Sequence, residues 1–245
     1  MPCTGDATQK CNLRNEAPYS SMTLQMFHPF DQLAVKLLDV ATDDEDGAHD
    51  LSHIVRVWRN AKLIHREEGG DLEALAAAVL LHDCIQVAKD SPFRSKASLL
   101  AANESRVRLE ALGWEPSRID TVANSIESHS FSAGVAPTSI EGCILQDADR
   151  LDAIGLSGIA RCFYTAGRLG SRLYDLADPE AKTRPLDDSR NALDHFPKKL
   201  LTLAGNFKTR KGQEIAKERH RRLDEFYRAM LSEVQEQPHS SSRRG

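Results

Sequence analysis

The chain has 245 residues, 40% of them hydrophobic, which is material for one large domain or two small ones with a sizeable core. Lys and Arg number 32 against 36 Asp and Glu, and the resulting net charge of −4 speaks against non-specific binding of a nucleic-acid polymer, which needs a clustered positive surface. No run approaches the roughly 18 apolar residues of a membrane-spanning helix, and the N-terminus lacks an apolar signal core, so a cytoplasmic protein without a membrane partner is expected.

Residues 1–22 are polar and aperiodic and read as a disordered leader, as do residues 237–245 at the other end. Between them the pattern is helical almost throughout. A first helix is expected over 23–40, before an acidic turn. A second runs over 51–68, with Asp50 as N-cap and Gly69-Gly70 as its stop. Its apolar positions Leu51, Ile54, Val55, Trp58, Ala61 and Ile64 keep helical spacing. The third begins after Asp71 and is apolar almost all round, so it belongs at the centre of a bundle. A fourth covers 97–112 and ends at Gly113, and Pro116 opens a fifth reaching 128. Further helices are expected over 139–152, 155–168, 189–204 and 213–235. Residues 170–188, with Pro179 and Pro185, form the one long irregular stretch, the kind that often serves as a lid or a site wall. Strand signals are missing. The fold class is all-α, a single-domain helical bundle over 23–236, its last part a helical extension.

The five cysteines are widely spaced with no CxxC pair, which fits neither a disulfide scaffold nor a zinc ribbon. Cys84, Cys143 and Cys162 stand in apolar surroundings and read as buried hydrophobes. Chemistry gathers elsewhere. His82 and Asp83 end the most apolar helix of the chain, and His82 shares the inward stripe of Leu75 and Val79. A carboxylate there carries a large desolvation cost unless it is paired or binds a metal. His53 lies on the inward face of the second helix. Asp149 falls on a stripe running Leu145, Asp149, Asp152, Leu156, while Asp147 lies on another apolar stripe, four residues after Cys143. Periodicity does not choose between Asp147 and Asp149. Two imidazoles and two carboxylates on three core helices suit a divalent ion such as Mn, Ni, Fe, Mg or Zn in an open, catalytic type of site.

The strings HDLSHIVRV from His49, LLHD from Leu80 and LQDADRLDAIG from Leu145 resemble the H…HD…D signature of the HD-domain metal-dependent phosphohydrolases. HFPKKLLTL from His195 and TRKGQEIAKERH from Thr209 extend the likeness to the small stand-alone bacterial HD proteins. That resemblance implies one divalent metal ion held by His53, His82, Asp83 and Asp149, with Asp147 a supporting or helix-anchoring group. It implies hydrolysis of a small phosphorylated metabolite such as a nucleotide, Asp83 or Asp152 orienting the attacking water. His49, Arg56, Lys89 and His129 are then the candidates for substrate contact. Two other functions fit the same scaffold: a non-catalytic nucleotide-sensing module, and a di-iron oxygenase or lyase. Sensing modules are commonly fused to a partner domain. The di-iron chemistry needs further ligands between the HD pair and the last Asp, where only His129 is available. A P-loop kinase is excluded, because no GxxxxGK[ST] string occurs.

Overall fold

Pro29 has no N–H to give and its ring crowds the preceding turn, so the first helical stretch is interrupted rather than continuous over 23–40. A 3-10 turn at Gln25–Phe27 precedes it and helix α1 (Asp31–Leu37) follows. The computed structural model describes residues 24–38, 51–85, 87, 96–130 and 134–235. The expected leader and tail, Asp50, His49 and Lys89 lie outside them.

Helix α2 (Leu51–Glu68) buries His53, Ile54, Val57, Trp58, Ala61 and Ile64, the face that its spacing predicts. It stops at Gly69 and Gly70, both with positive φ, +78° and +98°. The Asp71 side chain then accepts from the N–H groups of Glu73 and Ala74, capping α3 (Leu72–Leu81). Every residue of α3 from Ala74 to Leu81 is buried, so it is the central element. Around it stand α2, α4 (Ala97–Ala111), α5 (Pro116–His129) and α6 (Ile140–Asp152), whose N-cap Ser139 accepts from Gly142 N–H. The apolar residues of these helices form one continuous core.

After α6 the chain reverses at Gly155 into α7 (Gly155–Arg168). The irregular stretch that follows is tied down by a bridge between Arg172 and Asn191, by Tyr174, which packs on a second core, and by the buried Asp194 carboxylate, which takes Arg184 and the Asp187 N–H. The single helix expected over 189–204 is instead a 3-10 turn at Ala192–Asp194, a short α8 (His195–Lys198) and a longer 3-10 run at Leu200–Asn206. Pro197 limits the turn, and Lys199, at φ −138° and ψ −59°, breaks helical geometry. The last helix, α9 (Arg210–Gln235), starts earlier than expected because Thr209 Oγ1 accepts from Gly212 N–H. Ile159, Leu193, Phe196, Leu200, Leu223 and Leu231 form the second core, and α9 serves both, with Ala216 in the first and Leu223 in the second. Among the described residues the architecture is all-α, in a single domain, with no helix long and apolar enough to cross a membrane.

Candidate metal centre

Helices α3, α5 and α6 bring their C-terminal ends to one place, where the first turn of α2 also arrives. His82 and Asp83 follow the last residue of α3, His129 ends α5, and Asp149 lies in the last turn of α6. Helix C-termini carry partial negative charge, so this convergence favours a cation before any side chain is counted.

The side chains make the same demand more sharply. His53 Nε2 lies 3.2 Å from His82 Nε2, 3.7 Å from an Asp83 oxygen and 3.6 Å from an Asp149 oxygen. His82 Nε2 is 3.5 Å from Asp83, and His129 Nε2 is 3.6 Å from the other Asp83 oxygen. Two groups of three, His53–His82–Asp149 and His82–Asp83–His129, each hold their ligand atoms within 4.8 Å of one another and share His82. The opposite ring nitrogens fix the tautomers. His82 Nδ1 is 2.8 Å from the Val79 carbonyl and His129 Nδ1 is 2.6 Å from that of Ile126, acceptors that only an N–H can satisfy. His53 Nδ1 donates to Asp152 at 2.8 Å. In the neutral rings all three Nε2 atoms therefore present lone pairs, facing two carboxylates. Only a cation relieves that arrangement.

A proton answers that demand unevenly. Burial, the largest influence on His82, lowers its pKa and favours the neutral ring. At His129 burial also disfavours charge, but the Asp83 carboxylate outweighs it and the pKa is raised. At Asp83 burial again works against ionisation, yet the imidazoles of His82, His129 and His53 hold the carboxyl well below its usual range. Asp83 and Asp149 are half-buried, whereas His53 and His82 are fully enclosed, so the cluster opens on its carboxylate side. Nitrogen and oxygen donors of this kind suit Mn, Fe, Ni or Zn, with Mg the poorest match to three imidazoles. No thiolate competes: burial pushes the Cys84 thiol, next to Asp83, up to about 12. Cys84, Cys143 and Cys162 are half-buried free thiols rather than fully buried ones.

The folded chain gives several of the candidate residues definite partners. Asp152, 1% exposed, is not free to orient a water. One of its oxygens takes Arg56 Nε at 2.6 Å, and the other takes His53 Nδ1, Arg56 Nη2 at 3.1 Å and Arg161 Nη1 at 3.0 Å. Burial opposes its charge, but the bonds from His53 and Arg56 prevail and its pKa falls well below the usual value. Arg56 directs its guanidinium to Asp152 and Ser52. Asp147 points away from the cluster, accepting the N–H groups of Lys208 and Thr209 and the Thr209 hydroxyl. It anchors α9. His129 stands in the cluster itself, closer to the centre than a substrate contact on its rim. Arg161 is the participant that sequence reasoning missed, since it lies outside every motif. Of the later basic residues, His195 and Lys198 pair with Asp188, and Arg219 bonds Leu151 and Asn60.

Residues 50–154 match the family model of the HD domain. The Bacillus subtilis protein YpgQ is 34% identical over 208 residues, covering 83% of this chain and 93% of YpgQ. The chain belongs to the HD-domain family. The structure of YpgQ in complex with ADP covers 86% of this chain and 96% of its own, with a TM-score of 0.65 and 34% identity. Lin1889 from Listeria innocua gives 0.60 at 31% identity, covering 78% and 90%, and an HD-superfamily hydrolase from Bacillus thuringiensis gives 0.61 at 30%, covering 88% and 98%. The matched HD domain holds all five residues of the cluster, and residues beyond 154 supply the second core and Arg161.

Proposed function

We propose that this HD protein is a metal-dependent phosphohydrolase acting on a small phosphorylated metabolite of the nucleotide class. The observation that carries the reading is the meeting of three imidazole lone pairs with two carboxylates in a pocket closed on its histidine side. His53, His82, Asp83 and Asp149 would hold one divalent ion, with His129 beside Asp83 as a further donor or a contact for substrate. Such an ion supplies Lewis-acid stabilisation of charge developing on a phosphoryl oxygen.

The chain's own residues do the rest. Val79 O, Ile126 O and Asp152 hold the Nδ1 protons, so each ring keeps Nε2 bare and aimed inward. Asp83 lies on the open side with one oxygen toward His129, the position from which a carboxylate can orient an incoming water. The apolar walls of α2, α3 and α6 keep the His82 ring dry and favour its neutral form. Nucleotide as the substrate class is supported by similarity to YpgQ, solved with ADP.

Mn²⁺ titration of chelator-treated protein by calorimetry, followed by a screen of phosphorylated metabolites, tests the reading. We expect about one ion per chain and a gain of about 2.7 kcal/mol in unfolding free energy at a hundredfold excess over Kd. We also expect hydrolysis that EDTA and Asp83→Ala both abolish. A protein that neither retains nor rebinds Mn, Fe, Ni or Zn sinks the proposal.

A further inference from the structure

We propose that Arg161 is a positioning residue for the cluster, fixing the His53 ring through the Asp152 carboxylate. In its metal-binding consequence this rests on the reading above; in its effect on His53 it stands on geometry alone.

Asp152 is fully enclosed, and the oxygen that accepts the His53 Nδ1 proton also takes Arg161 Nη1 at 3.0 Å. Arg56 braces both oxygens, but it lies on α2 three residues after His53 and moves with it. The pair His53–Arg56 therefore joins α2 to α6 with both contacts coming from one helix. Arg161 adds a contact from a third helix, α7. That helix is itself held close, because it begins at Gly155 (φ +71°), where an added Cβ would stand 3.1 Å from Arg219 Cβ. The Arg219 guanidinium reaches back to the Leu151 carbonyl and to Asn60 on α2. Arg161 thus ties His53 to a part of the chain beyond the matched residues 50–154. Orientation of a ligand ring by the group behind it commonly governs metal affinity by about 10- to 100-fold.

The test compares wild type, Arg161→Leu and Arg161→Lys, using ¹⁵N-histidine NMR of the metal-free proteins and Mn²⁺ titration. In wild type the His53 resonances should report a proton on Nδ1 and a bare Nε2. Arg161→Leu should move them toward a mixture of tautomers and weaken Mn²⁺ binding by about tenfold, the lower end of that range, with helical content unchanged. Arg161→Lys, which keeps a charge and one donor, should recover most of both effects, and it carries the comparison if the leucine variant does not fold. Unaltered His53 resonances in the variants, or Mn²⁺ affinity within about twofold of wild type, overturn the proposal. If wild type takes up no Mn²⁺, the metal reading of the site fails, while the His53 signature alone still decides for or against Arg161.

Discussion

Asp147 and Asp149 are two residues apart on α6, and the helix sends them to different neighbours. Asp149 faces His53 across 3.6 Å. Asp147, fully buried, accepts two backbone N–H groups and a hydroxyl at the start of α9, and an added Cβ at Gly212 would stand 2.4 Å from its oxygen. Apolar stripes run under both residues, so spacing alone is neutral between them. The resemblance to the HD signature, which puts the ligand directly before the basic residue of the DRL string, implies Asp149. Asp149→Asn should therefore abolish tight Mn²⁺ binding and barely alter the stability of the metal-free protein. Asp147→Asn should do the reverse. It replaces an acceptor-only group by an amide whose NH₂ opposes backbone donors, at a cost of about 1.5–3 kcal/mol, and leaves Mn²⁺ affinity within a few-fold. Parallel urea melts and Mn²⁺ titrations check both. A loss of affinity larger for Asp147→Asn would put the ligand two residues earlier.

At the level of elements, α2, α3, α5 and α6 are legible nearly to the residue because stripe, cap and stop agree. The misses at Pro29 and over 189–204 occur where apolar spacing continues through a proline and only backbone geometry ends the helix. The turn from α2 to α3 allows a sharper check. Gly69 and Gly70 both have positive φ, but only Gly70 has neighbours, Glu141 Oε1 and Ile140 Cγ2, each 2.8 Å from where an added Cβ would stand. Gly69→Ala should cost about 1–2 kcal/mol, the penalty of left-handed backbone, and Gly70→Ala distinctly more, since Glu141 must also give up its bond to Asp71 N–H. Equal losses in thermal melts would show that the neighbours yield freely. Beside it, Asp71 caps α3 while Arg118 grips both its oxygens. Partial burial disfavours its charge, but Arg118 and the Ala74 and Glu73 N–H groups win, and its pKa lies below 3.8. A carboxyl lowered on folding contributes stability that is complete above its unfolded value and vanishes as pH falls through the folded one. Asparagine caps as well as aspartate, so Asp71→Asn isolates the charge. The variant should be less stable than wild type at about pH 7, and the gap should close as pH falls through the lowered carboxyl pKa. A gap that persists in acid would assign the effect to cap geometry.

Across the whole molecule, the all-α class can be read from sequence, and so can His53, His82 and Asp83, each a polar residue on or at the end of an apolar stripe. Asp149 is singled out from Asp147 only by the resemblance to the HD signature. The placements of Asp152, His129 and Arg161 cannot be read from sequence, since each depends on which helices meet, and helices meet only after packing. The same holds for the joint between the two cores. Asp147 with Thr209, Arg219 with Leu151, and Arg150 with the Asn206 carbonyl fasten α6 to the chain beyond 154, and Arg219 with Asn60 fastens α2 to it. These are buried or half-buried polar contacts, which are costly to leave unmade, so the two cores should unfold together. Phe196 tests this from a distance. It is wholly buried in the second core, stacked against Phe226 and Tyr227 at 5.9 and 5.4 Å. Phe196→Ala should cost about 3–5 kcal/mol. Both tryptophans, Trp58 and Trp114, pack in the first core, so their fluorescence follows that core alone while circular dichroism follows every helix. If the joint holds, the mutation lowers both midpoints by the same amount and the two transitions stay superimposed. A fluorescence midpoint left at its wild-type value while helicity is lost early would mean that the HD core stands by itself. The extension, Arg161 included, would then be released before the cluster is.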